Sequence, residues 1–222
     1  MGYQLDFGAL VQYLGLFFEG TAVTLGLTAL ASLIGTGLGI AGAAASRSRH
    51  IWVRRSMAFY VELIRNTPFI VQMFFIFFGL PSVGLRLSAL QAAALAMIIN
   101  LTAYEIEIIR AGLEAVPPGQ NEAARSMGLH SLAVFGLIVL PQALANVYPA
   151  LVGQITITML ESAVVSQIAV VDLTHVADLI QSRNFRSFET YLVITLAYLV
   201  LAVLLRRLLA LAGRGLFAGR AP

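Results

Sequence analysis

Hydrophobic positions in this chain fall in long unbroken blocks, not on alternate residues or on single helix faces, and several blocks match the length of a membrane crossing. Residues 21–45 carry no charge, and a helix of that length at ~1.5 Å per residue covers about 30 Å of hydrocarbon with some tilt. This block predicts the first span. Its glycines Gly35, Gly37, Gly39 and Gly42 either admit a neighbouring helix at close range or simply mark an Ala/Gly-rich helix. The block at 57–80 is interrupted by Glu62, Arg65 and Pro68. Its uncharged part, 69–80, is too short to cross alone, so the second span either includes the ELIRNTP segment or breaks near Pro68. Residues 88–110 predict a third span. The uncharged stretch 131–160, with Pro141 and Pro149, holds an approach segment and a kinked fourth span over 134–158, and 190–211 is the fifth. Between these last two, 162–181 is too polar at Asp172, His175 and Asp178 for a span and reads as a short re-entrant or outer helix able to act as a gate. Residues 5–18 predict an interfacial helix ahead of the first span.

Composition agrees and narrows the class. The 222 residues are 59% hydrophobic and 11% charged, with a mean hydropathy of +0.87, which an ordinary soluble domain does not reach. An all-α membrane protein of about five transmembrane helices in a single domain, 1–222, fills the length and leaves no room for a second globular unit. The start, MGYQLDFGAL, lacks a basic region and a small-residue cleavage site, so the first span is expected to serve as the insertion signal. With no cysteine there is no thiol chemistry, and His50, His130 and His175 lie too far apart in sequence to suggest a zinc site. No catalytic residue and no metal site is predicted. A net charge of +3 is too small and dispersed for a nucleic-acid surface. The placement of the arginines says more: 46–56, 110–130 and the C-terminus, Arg220 included, hold ten of the fourteen. The positive-inside rule then puts the N-terminus outside and the C-terminus in the cytoplasm.

The loop at 114–130 is long for a connection in so compact a protein. Pro117, Pro118 and Gly119 end the third span, Asn121 is placed to cap a new helix, and Glu122 to Met127 favour helix until Gly128 stops it. A helix of about two turns held between fixed ends buries little and makes a handle for a soluble partner.

At these residues the chain resembles a known family. GQNEAARSMGL followed by LPQA at 140–143 is similar to the EAA loop of the permease subunits of binding-protein-dependent ABC importers. ELIRNTPFIVQMFFIFFGLP at 62–81, AYEIEIIRAGLEAVPPGQ at 103–120 and YPALVGQ at 148–154 narrow the likeness to the polar amino acid branch, over residues 20–205. The resemblance implies a type I importer permease fold in a bacterial inner membrane. It implies two permease subunits, identical or not, forming the pore, two cytoplasmic ATPases docked on the EAA helices, and a periplasmic or extracytoplasmic binding protein delivering the amino acid. ATP and magnesium would be held by the ATPases, and no cofactor by this chain; it contains no lysine, which a P-loop requires. Carried over, the ATPase contact comprises Gly119, Gln120, Glu122, Ala123, Ala124 and Gly128. The alanines would pack in a cleft of the partner and Glu122 would meet a basic rim. The bland reading of Glu122 and Arg125 is a solvated helix face.

Charged groups at membrane depth cost about 2.5–3.5 kcal/mol each on insertion scales and so face a partner or water. Arg65 either pairs with Glu62 three residues before it or faces a substrate carboxylate. Glu105 and Glu107 suit pairing with Arg110 or ATPase contact. Glu161 follows thirty uncharged residues; the resemblance places it and Ser162 in a Lys-Asp-Ser/Thr-Ser-Leu motif beside the solute cavity, with Leu160 where the family has lysine. Glu161 either favours a ligand bearing an ammonium or guanidinium group or meets Arg183 or Arg186. Asn100, Thr102, Tyr104, Gln154 and Thr158 could line the same cavity or form helix–helix hydrogen bonds. The function expected is a permease for polar amino acids, of basic or amide- or histidine-like type. The alternative is a self-contained secondary transporter or channel, for which two matching broken helices would be needed.

Overall fold

The computed structural model describes residues 4–217, all of whose regular elements are helical. Arg220 and the first three residues of the MGYQLDFGAL start lie outside the described residues.

A 3-10 turn, Gly8–Tyr13, runs directly into α1, Leu14–Ala45. Together they form one 38-residue apolar helix, so the segment expected to lie as a separate interfacial helix is instead the opening of the first span. The reason is tertiary. Leu10 is buried against Val176 and Ile180, and a Cβ on Gly20 would stand 2.9 Å from the Asp172 carbonyl oxygen, so the helix is held in the bundle well before residue 21.

The second block is broken. α2, Ile51–Arg65, starts earlier than expected, and α3, Phe69–Phe74, continues through a π turn and a 3-10 turn to Val83 at 106° to it. Pro68 has no N–H, which leaves the Ile64 carbonyl without its helical donor. Gln72 Nε2 donates to that oxygen at 2.7 Å and to the Thr67 carbonyl at 3.0 Å, while Asn100 Nδ2 donates to Gln72 Oε1 at 3.0 Å. A break at membrane depth is tolerated where side chains satisfy the freed backbone.

The third span, α4, Ala89–Glu114, opens on a Ser88–Gln91 capping box and is the centre of the bundle, packing on α1, α2, α3 and α7. After α5, Pro118–Ser126, the short α6, Ser131–Ala133, leads through a π turn into α7, Leu140–Glu161. Pro141 stands directly after the π turn Val134–Val139 and Pro149 inside α7, yet the fourth span is a single helical run, Ser131–Ile168. The polar segment then splits into the 3-10 turn Ser162–Ile168 and α8, Leu173–Asn184, which packs on α1 and α9. α9, Ser187–Leu216, is the last span. Among the described residues, four helical runs are long and apolar enough to cross a membrane, or five if the bent α2/α3 pair is one span.

The main core joins Leu27 and Ala31 of α1, Met73, the α4 face from Ala92 to Leu101, and Val165 and Ile168. Gly35, Gly39 and Gly42, at i, i+4 and i+7, let α4 approach: a Cβ on each would meet Leu101, Glu105 and Ile106 at 3.2, 2.9 and 2.4 Å, whereas Gly37 has nothing within 4 Å.

Candidate functional site

α5 has eight peptide units between two backbone stops. Pro118 occupies its first turn with Pro117 as the N-cap, where proline's fixed φ suits helix entry; Asn121, expected as the cap, lies inside the helix and accepts a bond from Arg125 Nε at 3.0 Å. The exit follows from the glycine. Gly128 has φ +81°, its N–H donates to the Arg125 carbonyl at 2.9 Å, and the Leu129 N–H donates to the Ala124 carbonyl at 3.3 Å, the reciprocal pair of a Schellman turn.

Ala124 is buried within the chain itself, 4% exposed, while Gly119, Gln120, Glu122, Ala123 and Gly128 are exposed. Ala124 therefore secures α5 to its own bundle instead of being free to enter a partner's cleft, because it lies on the face turned toward the π turn before α7. Glu122 and Arg125 line a cavity of about 590 Å³ with Arg47, Glu114 and Asn121. Met127, 81% exposed, and Leu132, 79% exposed, add an apolar edge that the sequence reading missed. The signal available was a large apolar residue placed directly before the terminating glycine of an otherwise polar helix.

A larger cavity, about 680 Å³, opens between α2 and the last turns of α4 and is lined by Arg54, Glu62, Arg65, Tyr104, Glu107 and Arg110 among others. Arg110 is committed to Glu107 and, at 2.6 Å, to Glu114. Arg65 does not pair with Glu62; its guanidinium lies over the Tyr104 ring, 5.4 Å from the centroid, because the turn of α2 before the break carries it toward α4. Glu105 does not reach Arg110 either. It is fully buried against Gly39, beside Thr36, with neither carboxyl oxygen in hydrogen-bond geometry with a described residue.

The remaining candidates lie elsewhere. None of Asn100, Gln154, Thr158, Glu161 and Ser162 lines the cavity that Arg65 lines. Asn100 braces Gln72 at the helix break, Thr158 is buried with its hydroxyl unpartnered among the described residues, and Ser162 donates to the Met159 carbonyl at 2.6 Å. Gln154 is 8% exposed. Glu161 is half-buried and has no ion pair among the described residues; Arg186 pairs instead with Glu189 at 3.0 Å and Asp6 at 3.4 Å, and Arg183 is exposed.

Residues 35–217 match the family described as binding-protein-dependent transport system inner membrane components. The chain belongs to this family. The Bacillus subtilis arginine transport system permease ArtQ is 33% identical over 205 residues, 90% of this chain and 92% of its own. A Rickettsia conorii chain provisionally named GlnP, the permease of a glutamine transport system, is 33% identical over 196 residues, 87% of this chain and 90% of its own. Among solved structures, an amino acid ABC transporter with histidines shares 41% identity, covers 96% of this chain and 99% of its own, and superposes with a TM-score of 0.86. This membrane permease thus has the type I importer fold, and α5 is the segment expected above as its EAA loop.

Proposed function

We propose that the chain is the pore-forming permease of an ATP-driven importer of polar amino acids in a bacterial inner membrane, with its N-terminus outside and α5 in the cytoplasm. The observation that carries the reading is α5 itself, a short exposed helix locked at both ends between the third and fourth spans. The arginine and glutamine transport permeases and the amino acid ABC transporter with histidines that it is similar to supply the substrate class. Gly119, Gln120, Glu122 and Ala123 form the outward face for an ATPase, with Met127 at its end, Ala124 holds the helix to the bundle, and Gly128 fixes its exit. Because α5 is joined to α4 on one side and to the α6–α7 run on the other, displacement by the ATPase is transmitted to both spans. ATP and magnesium belong to that ATPase, since this chain has no lysine for a P-loop; the chain makes and breaks no bond.

The polar groups available to a zwitterion fall into two sets. Arg65 in the large cavity suits a carboxylate, and Glu161 with Ser162, together with Asn100, Gln154 and Thr158, suits an ammonium or guanidinium group; the cargo would meet them in succession as the pore alternates. The test is to tag the chain, extract it gently from its host membrane, identify co-purifying proteins by mass spectrometry and assay ATP hydrolysis. A stoichiometric P-loop ATPase with vanadate-sensitive activity supports the proposal. A stable complex without an ATPase overturns it in favour of a secondary transporter or channel.

A further inference from the structure

The groove between α7 and the C-terminal end of α9 is a second place where charge and shape meet, and none of the residues assigned above to α5 or to the cargo lines it. Its volume is about 610 Å³, with Tyr148, Pro149, Val152 and Gly153 on the α7 wall and Arg206, Ala210, Gly213 and Arg214 on the α9 wall. On each helix these positions recur at three- and four-residue spacing, so two continuous stripes face each other. Tyr148 fills the seam between the helices as a wedge: its ring lies over Gly213, where any Cβ would collide with it, its hydroxyl donates to the Leu209 carbonyl at 2.6 Å, and Phe217 packs on it at 5.2 Å between ring centroids. Above the wedge the groove is open. A Cβ on Gly153 would have no heavy atom within 4 Å. Val147, next to Tyr148, packs on Gly112, two residues before the end of α4 that leads into α5, so this is the α5 end of the bundle.

We infer that this groove binds an anionic phospholipid of the leaflet on the α5 side, its phosphate between Arg206 and Arg214 and an acyl chain along the apolar Pro149–Gly153 wall. Neither arginine has an ion pair or hydrogen bond among the described residues. Their depth fits. The uncharged run 190–205 of α9 spans roughly 24 Å at ~1.5 Å per residue, most of a ~30 Å hydrocarbon layer, which puts Arg206 near the acyl boundary. Arg214, eight residues later, stands roughly 12 Å further along, at the level of the headgroups. A phosphate between them exchanges two unpaired cations at an interface for a paired anion, and basic pockets between spans on the cytoplasmic side are where anionic headgroups bind.

The experiment is native mass spectrometry of the complex as purified with its partner chains, in detergent containing equal phosphatidylglycerol and phosphatidylcholine. Wild type is expected to retain phosphatidylglycerol in preference to phosphatidylcholine. R206Q/R214Q is expected to bind it about 30-fold more weakly, the loss expected for two arginines at the surface, and R207Q, outside the groove, to bind as wild type. G153L fills the groove without changing charge and is expected to lose the same lipid, which separates a lipid site from general attraction to arginine. The proposal is overturned if the double variant keeps its preference, if G153L binds as wild type, if inorganic phosphate displaces the lipid, or if G153C, in a chain with no other cysteine, cross-links to a second copy. Retention is read without transport, so failure here leaves the importer reading standing, and failure of that reading leaves this one testable.

Discussion

The packing of α4 on α7 turns on one glycine. A Cβ built on Gly112 stands 2.7 Å from the Ala143 carbonyl oxygen and 2.8 and 3.1 Å from the two Val147 methyls. The oxygen is backbone and cannot swing aside, and a valine side chain is stiff about χ1. Since a comfortable C···O contact is about 3.3 Å, Gly112→Ala must part the helices by roughly 0.6 Å. A gap of that size forfeits about a quarter or more of the dispersion energy at each facing atom, here along the cluster of Ile109, Leu113, Ala143 and Leu151. Overpacking of this kind costs about 1–3 kcal/mol, against about 0.8–1 kcal/mol gained from alanine's helix propensity. Gly37→Ala makes the same chemical change in α1 where nothing lies within 4 Å, so it collects the propensity without the clash. The propensity gain is common to both, so the two variants should differ by the overpacking cost of about 1–3 kcal/mol, or about 2–12 °C in Tm for a chain of this size. Fluorescence-detected size-exclusion after heating detergent-solubilised complex measures the gap. If Gly112→Ala melts within about 2 °C of Gly37→Ala, the close approach of α4 to α7 is not what holds that interface.

Three further outcomes are expected. Gly128→Val places a β-branched residue at φ +81°, a conformation L-residues pay about 1–2 kcal/mol or more to adopt, and Glu122→Lys reverses charge on the exposed α5 face; both should abolish uptake while the chain still inserts, and normal uptake in either would refute coupling through α5. Glu161→Gln should raise the half-saturating amino acid concentration or uncouple ATP hydrolysis, and an unchanged substrate profile would leave Glu161 a structural role. Burial pushes the Asp172 carboxyl above the ordinary aspartate range despite the hydrogen bonds it accepts from the His175 N–H and the Tyr198 hydroxyl. A raised folded pKa favours the fold while the acid is protonated and loses that advantage as pH climbs through it. Asp172→Asn keeps the α8 cap, so its Tm should exceed that of wild type at neutral pH and converge on it toward acid, and the opposite trend would show the carboxylate to be stabilised where it sits.

What the sequence determined by itself was whatever depends on the chain's own order. Uncharged length set where spans could lie, because a bilayer taxes every charge and every unpaired peptide group. The stop of the third span before Pro117–Pro118 and the Gly128 exit of α5 were legible because each acts through its own backbone dihedral or missing N–H, whereas the start of α5 was assigned to Asn121, which lies inside the helix. Pro68 offered a break, for the same reason, as one of two readings of the second span. Tertiary structure decided everything that needs the rotation and register of a second helix. Four glycines of α1 looked equivalent, yet only Gly35, Gly39 and Gly42 face α4. Glu62 and Arg65 had pairing distance by sequence, but the Pro68 break and the approach of α4 gave Arg65 to Tyr104. Asn100 went to the Gln72 brace, Glu105 to Gly39 instead of Arg110, and Ala124 to the protein's own interior. Helical spacing states which neighbours a side chain can reach along its own helix; which of them it meets is settled by the side chains that the adjoining helix brings alongside.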